Sequence, residues 1–469
     1  MRAIVGNSII IENATDEAVA YYRDKLVFAN PKYEKAVSMG KWAGNIPREI
    51  VLYQRRGKDI ILPFGMLQSV FHNRDSFYEI INDTAHMDHK RYNFGCTIQP
   101  YEYQQKAIDR ALKTRNGVIV APCGSGKTQI ALAVAARIGL RTLWLTHTGD
   151  LMRQSMERAK RCFSLPAGAY GTITGGRVNA GEVITFATVQ TMANIDLEKY
   201  RDFWDVVIVD ECHKCVGTPT NIMMFYKVVN CLNARYKIGI TATPKRADGL
   251  ERCMFALLGD TIHEITMEDV KDQTCPVNVT SIDTGYSPDL SRILSSDGTL
   301  SYTRLISELI KDTGRNEMIG GGIAAWCKSY GFVMVLSERV EHLHSLMAEC
   351  AKYGVPESQM RILSSVTTKK ARAERESALA DLNAGRIKIV FATYQLAKEG
   401  LDVPNLRLLV LASPQKDRTT VVQSVGRVSR KAPKKTVGTV WDYVDRFGLL
   451  LGYAKKRQGY YRKLGAKVY

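Results

Sequence analysis

The chain has 469 residues, of which 45% are hydrophobic and 24% charged. That balance excludes a disordered or collagen-like polymer and leaves length for about three domains of roughly 150 residues. The net charge is +18, and from Ser364 to Tyr469 there are 22 Lys and Arg against 8 Asp and Glu, so this last stretch supplies +14 of it. Such a surface draws in phosphate backbones or anionic membranes by steering and counterion release. A solvated basic face accounts for the charge equally well, so charge alone does not choose.

No run of about 18 apolar residues occurs, and Met1 to Asn7 lacks a basic-then-apolar leader, which predicts a cytoplasmic chain with no membrane segment. Ten cysteines are scattered through apolar segments, a pattern of reduced, buried thiols rather than of a disulfide framework. Cys212-His213-Lys-Cys215 has no second Cys/His pair nearby to complete the four ligands of a structural zinc.

Residues 1–95 mix short strand-like runs at Ile9–Ile11, Ile50–Tyr53 and Asp59–Leu62 with a helix near Thr15 to Leu26, predicting a small α+β domain. Lys32, Tyr33, Lys35, Lys41, Trp42, Arg48, Arg55, Arg56 and Lys58 interleave here. Cations between aromatics suit phosphate contacts with base stacking, and a plain scaffold domain fits as well.

From 96 to 265, apolar strands alternate with helical segments: Gly117–Ala121, a helix over Lys127–Ile138, then Thr142–Thr146, Val183–Ala187, Asp205–Val209 and Tyr236–Ile240. Near-continuous apolar strands separated by helices predict a parallel sheet covered on both faces, an α/β doubly wound domain. Residues 266–314, with Pro276 and Pro288, read as a linker with a helical excursion. From 315 to 469 the α/β rhythm returns at Phe332–Leu336, Lys388–Ala392, Arg407–Leu411 and Gly438–Trp441, with a helix over Thr367–Ala384 and a basic tail.

The strand-loop-helix around Ala121-Pro122-Cys123-Gly124-Ser125-Gly126-Lys127-Thr128 carries the clearest chemistry. Small residues bare the backbone N–H groups, and the following helix N-terminus adds its dipole, so the loop can wrap phosphate oxygens. In this pattern Lys127 holds the β and γ phosphates and Thr128 holds Mg²⁺. Ala121 departs from the pattern's first glycine. The strand Val206–Val209 then delivers Asp210-Glu211-Cys212-His213, with Asp210 suited to the Mg²⁺ shell and Glu211 to the attacking water.

The order of these blocks resembles that of superfamily 2 helicases, whose loops often begin with Ala. Tyr101-Glu-Tyr-Gln104 resembles the adenine-sensing glutamine element, and Phe186-Ala-Thr188-Val-Gln190-Thr191 a strand-contacting motif. Thr241-Ala-Thr243-Pro244 resembles motif III, and Phe391-Ala-Thr393 through Glu399-Gly400-Leu-Asp402 motif V. Gln423-Ser-Val-Gly-Arg427-Val-Ser-Arg430 matches the Q-x-x-G-R-x-x-R of motif VI.

The resemblance implies two tandem RecA-like motor domains behind the small N-terminal domain. It also implies an ATP site using Gln104, residues 122–128, Gly400 and Asp402. Lys127, Asp210, Glu211, Gln423, Arg427 and Arg430 would be catalytic, and His213, Thr241 and Thr243 would couple the site to its surroundings. Arg427 and Arg430, three apart on a predicted helix, would point at one γ-phosphate as arginine fingers. Thr146, Thr148, Thr188, Gln190 and Thr393 would touch a nucleic-acid backbone, as would Lys32, Trp42, Arg55 and Arg56, although for the threonines capping or strand packing fits as well.

D-E-C-H is not the D-E-A-D of the RNA-remodelling branch. Thr241 to Arg246 with Asp248-Gly249, and Asp442-Tyr443-Val-Asp445, are similar to the XPB, RecG-related and UvsW-type DNA motors. Phe28–Tyr33, Trp42–Pro47 and Leu62–Gly65 resemble the DNA-binding domain ahead of the motor in phage UvsW-type helicases. These likenesses imply a monomeric ATP- and Mg²⁺-dependent motor on branched DNA, a fork or four-way junction. An RNA helicase, a motor subunit of a restriction or remodelling complex, and a non-catalytic DNA-binding module are the alternatives. The aromatic and basic run Tyr453 to Lys463 reads either as a further nucleic-acid contact or as a solvated helix.

Overall fold

The computed structural model describes the chain apart from residues 78, 84–89, 220, 221, 247, 364–373, 375, 376, 379, 383, 399–402 and 404. The chain divides into two compact units, Met1–Thr266 and Met267–Tyr469.

The first unit is built on an eight-stranded sheet. Its order across the sheet is Arg177–Asn179, Tyr170–Thr174, Ile184–Thr188, Thr142–Thr146, Val206–Asp210, Tyr236–Thr241, Asn116–Val120 and Thr261–Glu264. All neighbouring pairs run parallel except the edge pair of Arg177–Asn179 with Tyr170–Thr174. Strands such as Val206–Asp210 and Thr142–Thr146 are buried at every residue, which is why they read as unbroken apolar runs. The helix Lys127–Ile138 covers the exact span expected and ends at Gly139, whose φ of 67° supplies the left-handed cap.

In the same unit, residues 1–83 form a five-stranded sheet from Gln54–Arg56, Asp59–Pro63, Ser8–Glu12, Arg2–Val5 and Glu79–Asn82. The helix Asp16–Leu26 starts at Thr15, whose side chain accepts the Ala18 N–H. This small core is not closed on itself. Cys253 and Ala256, from the helix Glu251–Leu258 that follows the motor sheet's Tyr236–Thr241 strand, are buried in it. The approach is so close at Gly65 that an added Cβ would lie 2.2 Å from the Phe255 carbonyl oxygen. Lys237 adds a second tie, its ammonium donating to Asn7 O at 3.2 Å and Val229 O at 3.0 Å.

The second unit carries a seven-stranded, all-parallel sheet in the order Met360–Leu363, Ile389–Thr393, Val333–Ser337, Leu408–Leu411, Gly438–Val444, Val277–Asp283 and Lys467–Val468. The strand Val277–Asp283 comes from the stretch read as a linker. Its partly buried alternation beside Gly438–Val444 lacks the long apolar run that marks a central strand, so the prolines on either side dominated the reading. The expected helix over Thr367–Ala384 falls largely outside the described residues.

Two buried ion pairs brace this unit. Arg315 meets Asp445 at 2.7 Å with both side chains fully buried, and Arg457 meets Asp442 at 2.7 Å. Tyr461 donates its hydroxyl to Asp442 at 2.9 Å. The basic run of residues 453–463 is therefore no fully solvated helix. Tyr453, Arg457 and Tyr461 of the helix Gly448–Lys463 are buried, while Lys455, Lys456, Arg462 and Lys463 face outward.

Candidate ATP and nucleic-acid sites

Three neighbouring strands of the first sheet end side by side. Asn116–Val120 leads into the phosphate-type loop, Tyr236–Thr241 into Thr-Ala-Thr-Pro, and Val206–Asp210 into Asp-Glu-Cys-His. Parallel sheets collect ligands at such carboxyl ends. Ala121 keeps a negative φ and donates its N–H to the Thr241 carbonyl at 2.9 Å, so a glycine is not required there.

The glycines that are required come later. Gly124 and Gly126 have φ of 89° and 78°. At Gly126 the space is also closed, since an added Cβ would lie 2.6 Å from Gln104 Nε2. Gln104 is buried and braces the loop from outside: Nε2 donates to the Ser125 carbonyl at 2.8 Å, while its Oε1 accepts the Tyr101 N–H at 3.0 Å. Ser125 folds inward to donate to the Pro122 carbonyl at 2.7 Å. Lys127 and Thr128, half-buried, begin a helix with no side-chain cap hydrogen bond, whose dipole places partial positive charge at the loop.

Asp210 is buried at its strand end, and Glu211 turns the chain with φ 51° and ψ 49°, a left-handed conformation rare for a side chain of its size. Burial, then the neighbouring Glu211 charge, hold the Asp210 carboxyl above its usual range, with Lys127 opposing. Burial would lift Glu211 too, but Lys127 and the His213 contact outweigh it and keep this carboxyl low. Two buried carboxylates sharing one lysine leave an excess of negative charge. With the hydroxyl of Thr128 on the adjacent loop, that donor set fits a hard divalent cation.

The coupling residues come together here. His213 Nδ1 is 2.9 Å from Thr241 Oγ1 and 3.3 Å from Glu211 Oε2, and Thr241 Oγ1 also accepts the Thr243 N–H at 3.2 Å. Among the described residues, the buried Thr243 hydroxyl has no hydrogen-bond partner.

Two further polar residues stand at these strand ends. His147 stands at the end of the Thr142–Thr146 strand, and burial followed by Lys214 pushes it down to about 4. Arg246 donates from Nη1 to the His213 carbonyl at 2.6 Å. Both were visible as polar residues just past apolar strands, a signal too common to single them out. Cys212 and Cys215 are buried in the apolar core, and burial raises both thiols.

The threonines divide. Thr146 is fully buried and donates to the Thr148 carbonyl at 3.0 Å, while Thr148 caps the helix Gly149–Cys162 by accepting the Leu151 N–H. Thr188 is buried against Thr191 at 3.1 Å. The Thr146 and Thr188 hydroxyls both have partners inside the first unit. Gln190 is exposed, with Nε2 donating to the His147 carbonyl at 2.7 Å.

On the small domain, Lys32, Trp42, Arg55 and Arg56 are all exposed, Trp42 at 78%. Tyr33, Val37, Lys41, Ile46 and Arg48 line an open groove of about 690 Å³.

In the second unit Gln423 is half-buried on the helix Arg418–Val428, and Arg427, buried one turn later, donates to the Ala397 carbonyl. Arg430 is not on that helix. Ser429 ends it, and Arg430 pairs with Thr274 as an isolated bridge, because the chain there turns into an edge contact. Thr393 ends the strand Ile389–Thr393, its hydroxyl accepting the Leu396 N–H at 3.3 Å. Gly400 and Asp402 lie outside the described residues.

Two family descriptions match this arrangement: "Type III restriction enzyme, res subunit" over residues 97–246 and "Helicase conserved C-terminal domain" over residues 323–432. The chain belongs to the superfamily 2 helicases, as a nucleic-acid-dependent ATPase. This helicase is 26% identical to the DNA 3'-5' translocase XPB2 of Sulfurisphaera tokodaii over 72% of its own chain and 80% of that relative. It is 23% identical to the ATP-dependent DNA helicase uvsW of Enterobacteria phage T4 over 92% of its chain and 86% of the relative. Among solved structures, S. cerevisiae Dbp5 bound to RNA and ADP BeF3 aligns with a TM-score of 0.57 at 14% identity, covering 87% of this chain and 94% of that one. The Hef helicase domain of Pyrococcus furiosus aligns with a TM-score of 0.53 at 17% identity, covering 77% and 98%. These structures share the helicase's fold. Among the described residues, no helix is long and apolar enough to cross a membrane.

Proposed function

We propose that this helicase is an Mg²⁺-dependent DNA motor that remodels branched DNA, such as replication forks and four-way junctions. The observation that carries the ATPase half is the meeting of the uncapped, glycine-lined loop with the Asp210–Glu211 turn at adjacent strand ends.

Lys127 and the loop N–H groups hold the phosphates of ATP. Thr128 and Asp210 are the residues that would hold Mg²⁺, which when bound neutralises phosphate charge. Glu211, kept ionised, accepts the proton of the attacking water, whose oxygen bonds the γ-phosphorus as the bond to the β,γ-bridging oxygen breaks, giving ADP and inorganic phosphate. Arg427 and Arg430 are proposed as the cations, and Gln423 as a hydrogen-bonding amide, that stabilise the γ-phosphate during turnover. Hydrolysis then alternates grip along a strand.

The DNA half is supported by the names of the relatives, one a DNA translocase and one a DNA helicase. It is supported too by the exposed Trp42 and its cations. Turnover and strand exchange measured on single-stranded DNA, duplex, fork, four-way junction and RNA test it. The reading expects the fork and junction to be processed fastest, and stimulation by RNA without DNA would overturn it.

A further inference from the structure

Arg246 sits where the ATP-site turn meets the N-terminal domain inside the first unit. Its Nη1 grips the His213 carbonyl at 2.6 Å. Its Nε and Nη2 make paired bonds of 2.8 and 2.6 Å to the two oxygens of Asp248. Asp248 accepts the Leu250 N–H at 3.3 Å, and the Arg246 N–H reaches Glu251 at 3.4 Å, so the fork also fixes the start of the helix Glu251–Leu258. The pair is partly exposed, with Asp248 at 45% of its side chain, and adds little to stability. A bidentate fork fixes geometry.

The other side of this segment bears on the small domain. The Arg252 guanidinium lies over the Phe28 ring at 4.9 Å, and a Cβ on Gly249 would sit 3.4 Å from Pro31 Cγ. Leu250 and Cys253 pack in the small domain's core. Pro31 opens the helix Pro31–Ser38, which carries Tyr33 and Val37 into the wall of the groove. Trp42, 78% exposed, stands outside that core with Lys41 and Arg48 exposed nearby in the same segment. From residue 31 to residue 58 there are seven Lys and Arg against two Glu. An open indole among surplus cations is a platform for an unstacked base with its phosphates.

We propose that the Arg246–Asp248 clasp is a positioning device through which nucleic acid seated at the Tyr33–Arg48 groove, whose lining residues Lys41 and Ala43 flank Trp42 in the chain, sets the Glu211–His213 turn. This rests on the reading that the groove binds nucleic acid. The route is short: Phe28, three residues before the groove helix, lies under Arg252, whose helix start is held through Asp248 and Arg246, and Arg246 grips the His213 carbonyl. Nucleic acid that orders the groove thereby favours one placement of the turn, and ATP-site occupancy acts back on the groove by the same coupling.

The test uses the full chain with forked and single-stranded DNA, reading ATP turnover with and without DNA, DNA affinity at fixed salt, and melting temperature. Asp248→Asn is expected to cut DNA-stimulated turnover at least about fivefold while leaving unstimulated turnover within about twofold. DNA affinity measured without nucleotide stays unchanged while its shift on adding ATP shrinks, and Asp248→Glu retains stimulation. Trp42→Ala also lowers stimulation, and its effect disappears in the Asp248→Asn background. If Asp248→Asn does not fold, Asp248→Ser must give the same split. Equal loss of both turnovers, intact stimulation, or additive effects of the two variants would each overturn the clasp. A wild-type chain that no nucleic acid stimulates would instead remove the reading beneath it.

Discussion

His213 Nδ1 lies 2.9 Å from the Thr241 hydroxyl, which ties the turn after one buried strand to the end of its neighbour. The same hydroxyl accepts the Thr243 N–H, so a single oxygen holds two elements of the site. Thr241→Val keeps the shape and removes both bonds, leaving buried polar groups without partners at about 1–3 kcal/mol each. Steady-state turnover with DNA is expected to fall at least about tenfold, with Thr241→Ser close to wild type. Unchanged turnover in the valine variant would mean that His213 is held by other contacts.

Gln104 closes the phosphate loop through the Ser125 carbonyl and does so from a buried position. Gln104→Glu keeps its size but sets an acceptor against an acceptor. The expected outcome is a rise in KM for ATP of about tenfold with a smaller change in kcat, because the loop's ground-state grip is what loosens. A kcat loss with KM constant would place Gln104 in the chemical step instead.

Lys237 is fully buried with two carbonyl partners and the Phe64 ring at 4.4 Å. Burial pushes its ammonium down to about 7 from the usual 10.5. Between those values the unfolded chain binds a proton that the folded chain has released, so stability rises with pH across that window. Below about 7 both states are protonated and the full cost of burying the charge is present. Chemical denaturation of wild type and Lys237→Met at pH 7 and pH 10 checks this. The difference between them is expected to move in the wild type's favour by on the order of a few kcal/mol as pH rises. A difference independent of pH would show that folded Lys237 keeps its proton across the window, as the unfolded chain does.

Arg457 and Asp442 pair at 2.7 Å with almost no exposure, and Tyr461 joins them. Arg457→Met strands a buried carboxylate and is expected to destabilise the second unit by about 3–5 kcal/mol. Adding Asp442→Leu is expected to recover much of that, because an apolar pair does not carry the desolvation cost. Urea midpoints of the single and double variants decide it. Equal midpoints for Arg457→Met and wild type would mean that Asp442 finds another partner.

Much of the motor fold was legible because fully buried parallel strands are written as unbroken apolar runs. Lys127–Ile138 and Val206–Asp210 stand within a residue of where the sequence puts them. The site's backbone logic was legible too, since glycine spacing and two adjacent carboxylates after a strand are local signals. Val277–Asp283 was hidden because its outward alternation and flanking Pro276 look like a linker. Arg430 was misplaced because helix periodicity continues in the sequence after Ser429 has already ended the helix. Thr146 could not be told from a ligand-facing hydroxyl until its bond to the Thr148 carbonyl was seen. The Arg246–Asp248 clasp beside the catalytic turn adjoins Arg252, which meets Phe28 from more than 200 residues earlier in the chain, and no local pattern reports such a contact.

The most direct measurement is phosphate release from ATP with and without forked DNA, for wild type and Glu211→Gln. The chain is expected to be stimulated by the fork. Glu211→Gln is expected to fold and to bind ATP but to lose about 10²–10⁴-fold in turnover, since it keeps the turn but cannot accept the water's proton. Wild-type turnover that DNA leaves unchanged, or a Glu211→Gln variant as fast as wild type, would contradict the account.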